Sequence, residues 1–125
     1  MRRLLLIVTA ALEAPLGVSL LAAPSLPASL LLGSTLDAPA ARAVGRVAGA
    51  ALLALGLVCW LTRDEPKAGR GVVAALLIYN LAAVAILVGA GLGPGPAGIG
   101  LWPGAVLHTA LAAWCIPCLR RPSVQ

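Results

Sequence analysis

Four apolar runs, each long enough to cross a bilayer, fill nearly all of this 125-residue chain. A membrane helix needs roughly 20 apolar residues to span a hydrocarbon core of about 30 Å. In lipid, only helices and closed barrels keep every backbone polar group paired. Runs over 4–23, 40–61, 71–90 and 101–118 therefore predict an all-α fold, an integral membrane bundle of four transmembrane helices forming one domain over 1–125. With 61% of residues hydrophobic and 10% charged, little chain is left for a water-facing domain, since soluble domains carry about 25% charged residues. The composition excludes an ordinary cytosolic enzyme, a disordered tail and a nucleic-acid binder, and puts any activity in or beside the membrane.

The breaks between runs carry their own signals. The first run follows Arg2 and Arg3 and stops at Pro24 and Pro27, which a continuing helix tolerates poorly. Its start, LLLIVTAAL, imitates a signal peptide, but Glu13 interrupts it and no small-x-small cleavage site follows, so it reads as a span. The stretch PSLPASLLLGSTLDAP is too broken to cross, and residues 28–32 suit a short interfacial helix. Asp37 is the expected N-cap of the second span, with Pro39 in its first turn. TRDEPKAGR reads as a solvated turn whose Arg63, Lys67 and Arg70 can touch anionic head groups. GLGPGPAGIG reads as a flexible connector, because no Lys, Ser or Thr follows as in a phosphate-binding loop. Trp102 and Pro103 open the fourth span, and connections this short predict that sequential helices are antiparallel neighbours.

Arg2, Arg3, Arg63, Lys67, Arg70, Arg120 and Arg121 fall at one end of the spans, and only Arg42 and Arg46 at the other. The positive-inside rule then puts both termini in the cytoplasm. Topology alone accounts for the net charge of +5, without a nucleic acid. Trp60 and Trp114 fit the inner interface and Trp102 the outer one. Richness in Ala, Leu and Gly with no Phe suits a GC-rich bacterial genome, hence a bacterial inner membrane.

Strongly polar side chains inside a span are costly, so they face the bundle interior and raise a functional question. At about 1.5 Å of rise per residue, Glu13 lies about 13 Å and Asn80 about 15 Å from the inner boundary, while Arg46 and His108 lie about 9 to 10 Å from the outer one. Helical phase groups Thr9, Glu13 and Gly17 on the first span, Arg42, Arg46, Gly49, Leu53, Gly56 and Trp60 on the second, and Gly104, His108, Ala112 and Cys115 on the fourth. Gly45 and Gly49 form a small-xxx-small step that permits close helix approach. Glu13, Arg46, Tyr79, Asn80 and His108 are thus candidates for one polar centre. One reading is structural: Glu13 and Arg46 form a buried ion pair, while the other groups satisfy one another and the carbonyl freed by Pro15. The other is functional: the cluster is the floor of a pocket for a polar head group, a quinone or a lipid, or passes protons through Glu13 and His108.

Cys59, Cys115 and Cys118 form a second constellation near the inner boundary, the last two as C-I-P-C. A C-x-x-C in a four-span bundle resembles the quinone-linked thiol oxidoreductases of the vitamin K epoxide reductase kind, although the relay cysteines of that family's loops are missing and the expected side is reducing. Three thiolates also suit a soft metal, as in small mercury carriers. In the plainest reading they are small apolar residues that pack well. Four acids and one His assemble no Ser-His-Asp set, no paired carboxylates and no zinc spacing, so hydrolytic and glycosidase mechanisms have no residues to run on, and the residues call for no resident metal and no cofactor.

At LEAPLGVSLLAAP, LLLG, ARAVGRVAGAALLALGLVCW, Tyr79-Asn80 and LWPGAVLH, the chain resembles a set of short bacterial inner-membrane proteins of no assigned activity and, more distantly, the DoxX-like four-helix proteins. Glu13, Arg46, Tyr79-Asn80 and Trp102 with His108 give the resemblance its specificity. It implies a four-span bundle and no particular chemistry. The leading expectation is a membrane protein that binds a small molecule or lipid at the polar cluster, or serves as an accessory subunit. A proton-coupled carrier working as an oligomer is the alternative, and a thiol or quinone oxidoreductase the third. Expected partners are membrane lipids, further copies of the chain or a larger membrane complex.

Overall fold

The structure is a computed structural model and describes residues 1–120. Five helices follow in order, with no strand among the described residues: α1 (Arg2–Ala22), α2 (Ser25–Leu32), α3 (Pro39–Thr62), α4 (Pro66–Leu92) and α5 (Leu101–Arg120). All but α2 are long and apolar enough to cross a membrane. Large apolar side chains such as Val44, Val47, Ile78, Ile86 and Leu92 are exposed along the outside, as suits a bundle whose solvent is lipid.

Three local expectations are corrected. Asp37 does not cap α3: Ala38 holds the cap position with Pro39 at the start, and the Asp37 carboxylate accepts the Thr35 hydroxyl at 2.8 Å. Helix α4 begins at Pro66 and not at 71, because a proline at the first helical position is pre-set for the helix and forfeits only an N–H that would be unpaired anyway. With 27 residues, α4 is about 40 Å long, so it outruns a hydrocarbon core of about 30 Å. The glycine-rich connector is docked at its end: Gly98 and Gly100 donate their N–H groups to the Leu31 and Leu30 carbonyls at 3.2 and 2.8 Å. These carbonyls end α2 and have no donor within the helix. Gly98 approaches the Leu30 carbonyl so closely that a Cβ would overlap it.

Helix α1 packs most closely on α3 and α4 on α5, whereas α3 and α4 touch only lightly despite their short connection, about as lightly as α1 touches α4 and α5. The expectation that sequential spans are antiparallel neighbours is met closely at α1–α3 and α4–α5 and only loosely at α3–α4. Glycine explains the preference of α3 for α1. A Cβ on Gly17 would stand 2.5 Å from the Leu53 nitrogen and 2.7 Å from the Gly49 oxygen, and one on Gly49 would stand 2.8 Å from the Gly17 oxygen. The two backbones are in direct contact there, as small residues allow in membrane helix pairs. Gly45 and Gly49 are buried within this chain, so this face serves the internal seam.

The two pairs meet around α1, which also touches α4 and α5. Leu5, Leu6 and Ala10 of α1, Cys59 of α3, Val73 and Leu76 of α4, and Leu111, Cys115 and Cys118 of α5 form the core there. Arg3 Nε lies 2.7 Å from Asp64 Oδ1 and ties the start of α1 to the α3–α4 turn. The antiparallel spans thus gather Arg2, Arg3, Arg63, Lys67, Arg70 and Arg120 at one end of the bundle, with Arg42 and Arg46 toward the other. Arg121 lies outside the described residues.

Candidate functional site: a polar centre shared by three helices

Glu13 and Thr9, one turn apart on α1, are 3% and 1% exposed, and Asn80 on α4 is 1% exposed. Tyr79 Oη donates to Glu13 Oε2 at 3.3 Å. Asn80 Nδ2 donates to the Leu76 carbonyl at 2.7 Å, and Asn80 Oδ1 lies 2.8 Å from His108 Nδ1. A backbone carbonyl can only accept, so the Asn80 nitrogen faces Leu76 and its oxygen faces the imidazole. His108 Nδ1 must then carry a hydrogen, so that in the neutral ring Nε2 is the acceptor; this tautomer follows from the hydrogen-bond pattern. The Tyr79 and His108 rings meet edge to face, with centroids 5.5 Å apart and planes at 83°.

Glu13, Tyr79, His108 and Asn80 therefore form one continuous set of contacts across α1, α4 and α5. Adjacent positions on α4 point Tyr79 toward α1 and Asn80 toward α5, so both residues of the pair are used. The link between Tyr79 and His108 is a ring contact and not a hydrogen bond, so these four residues alone form no unbroken proton wire.

Arg46 does not join them. Gly49 lies against Gly17 and Leu21, and Gly56 against Ala14. Glu13 is thus level with Gly56, while Arg46 is level with the last turn of α1. Along α3 that difference is about 15 Å, and Arg46 is exposed. Among the described residues the ion pairs within 4 Å are Arg3–Asp64 and Arg63–Asp64, so the expected Glu13–Arg46 pair is absent. Depth counted inward from opposite boundaries hides this error, because the register between α1 and α3 is set by their glycine contacts. The carbonyl that loses its helical donor to Pro15 is that of Ala11. Ala11 is exposed, away from the polar centre that was expected to satisfy it.

Thr9 adds a feature that sequence reasoning placed on the Glu13 face without making it a candidate. Its Oγ1 is buried with no hydrogen-bond partner, which is uncommon for a buried polar atom. The signal that could have found it is its one-turn spacing from Glu13.

Cys59, Cys115 and Cys118 are buried and form no disulfide. They sit in the apolar core among Leu5, Leu76 and Leu111. Among the described residues no three His, Cys, Asp or Glu side chains are placed to hold a metal ion. The thiols come from α3 and α5 and pack in one core cluster.

A second feature lies on the flank of the α1–α3 seam. Ile7, Ala11 and Ala14 of α1 and Leu53, Gly56 and Trp60 of α3 help to line an apolar groove of about 440 Å³. Its size falls within the roughly 300–1,000 Å³ of small-molecule sites. None of the polar-centre residues lines it.

The chain matches no protein-family model, no curated protein and no solved structure.

Proposed function

We propose that this is a small polytopic protein of a bacterial inner membrane, with both termini cytoplasmic, that binds a small molecule or a lipid head group at its intramembrane polar centre. The observation that carries the reading is the isolation of Glu13. It is a carboxyl group 3% exposed at mid-span, held by the Tyr79 hydroxyl, with no Lys, Arg or His nitrogen within 4 Å among the described residues. Buried charges in membranes ordinarily pair with one another or mark a functional site. What Glu13 lacks there is a cationic partner or a second hydrogen-bond donor, and the ligand supplies it. The unpaired Thr9 hydroxyl one turn away and the acceptor Nε2 of His108 add further polar contacts for the same ligand.

Native mass spectrometry of the gently solubilised protein tests this, with wild type beside Glu13→Gln and His108→Ala. A molecule of defined mass is expected on the wild type, weakened or lost in both variants. Wild-type protein that carries no retained molecule, or variants that carry it equally, would overturn the reading.

A further inference from the structure

The apolar groove runs from Ile7 and Trp60 at the basic end of the bundle to Ala14 and Leu53 nearer mid-span. The small side chains of Ala11 and Ala14 leave it open, and it closes where Gly17 and Gly49 bring the two backbones together. From Leu53 to Trp60 the helix rises about 10 Å, which lies within the roughly 15 Å of hydrocarbon that one leaflet contributes to the core.

The mouth of this slot carries charge. The Arg63 guanidinium stacks 4.0 Å from the centroid of the Trp60 ring and donates to the Trp60 carbonyl. Arg3 stands one turn before Ile7. Both arginines share one carboxylate: Asp64 lies 2.7 Å from Arg3 Nε and 3.3 Å from Arg63 Nε. Two guanidiniums against one carboxylate leave a positive charge over, and at the same end Arg2, Lys67 and Arg70 outnumber Glu65, none of these four in an ion pair within 4 Å among the described residues. Guanidinium groups bind phosphate through paired hydrogen bonds, and an indole at the slot entrance suits the head-group level.

We propose that the α1–α3 groove holds one acyl chain of an anionic phospholipid from the leaflet at the basic end, with its phosphate on Arg3 and Arg63. This site is distinct from the polar centre and does not rest on the function proposed above.

The test uses the full chain in nanodiscs of equal phosphatidylglycerol and phosphatidylcholine, each lipid in turn bearing a photoreactive acyl chain. Crosslinks are expected to concentrate on the peptides holding Ala11 and Leu57, which both line the groove. Both lipids offer a phosphate, but phosphatidylcholine adds a quaternary ammonium that the surplus positive charge at this end disfavours, so phosphatidylglycerol should be preferred by about fivefold, the value of one basic residue near an anionic head group. Ala11→Trp, a change at an exposed position that fills the slot, should abolish those crosslinks. The Arg3→Gln/Arg63→Gln double variant should keep the crosslinks but lose the preference. Glu13→Gln should change neither, which separates this result from any failure of the polar-centre reading. Crosslinks spread evenly around the wild-type bundle, or equal use of the two lipids, would overturn the proposal; both are read on the wild type and do not depend on how any variant folds.

Discussion

Helix α1 meets its neighbours in two opposite ways. Toward α3 it presents Gly17 to Gly49 and Leu53, so that backbone touches backbone with no polar side chain between them. Toward α4 and α5 it presents Glu13, joined through Tyr79 to His108 and Asn80. Lipid tails are as apolar as leucine, so membrane helices gain nothing simply by hiding apolar surface from one another. They associate through close van der Waals packing or through polar bonds, and α1 uses one of these on each side. The dry seam tolerates no added atom, whereas the polar centre tolerates changes of shape but not the loss of a partner.

The largest effect is expected in the seam. Gly17→Val places atoms against the Leu53 nitrogen and the Gly49 oxygen, neither of which can move aside as a side chain can, and overpacking of this kind costs about 3 kcal/mol. Thermal unfolding in detergent should show a large drop in stability, while Gly71→Val, with nothing within 4 Å of its Cβ, should stay near wild type. Equal behaviour of the two would mean that the seam is not closely packed.

A smaller loss is expected from cutting the polar link between α4 and α5. Asn80→Leu removes the acceptor of His108 Nδ1–H, and a double-mutant cycle with His108→Leu should return a coupling of about 0.6 to 1.7 kcal/mol. Strict additivity would show that the bond contributes nothing to the bundle.

Glu13→Gln sharpens the comparison further. The amide keeps an oxygen to accept the Tyr79 hydroxyl, so stability should change by less than about 1 kcal/mol, while retention of the bound molecule falls. A large stability loss with unchanged ligand would reassign Glu13 from binding to scaffolding.

The smallest effect belongs to Arg46. Exposed and far from Glu13, Arg46→Ala should cost less than about 0.5 kcal/mol. Combined with Glu13→Gln it should be additive to within about 0.5 kcal/mol. A measured coupling above that would restore the buried ion pair.

Much of the polar centre is legible in the sequence. Glu13, Tyr79, Asn80 and His108 stand out because each is costly at its depth, and the fold brings all four together. Arg46 stands out for the same reason and does not belong, since an arginine near a helix end can reach water or head groups along its own stem. Thr9 is the converse case. A threonine is ordinary in a helix, and burial without a partner is what gives weight to its one-turn spacing from Glu13.

The number of spans, the all-helical class and the gathering of basic residues at one end follow from sequence alone, because the bilayer dictates the length and polarity of each crossing without reference to the others. Which helices pair, and at what register, does not. Short connections favour α3 beside both α1 and α4, yet α3 packs chiefly on α1, since the energy of helix pairing in lipid comes from how closely two surfaces fit. That fit depends on three-dimensional contacts such as Gly17 against Leu53, and it decides whether Glu13 meets Arg46 or Tyr79.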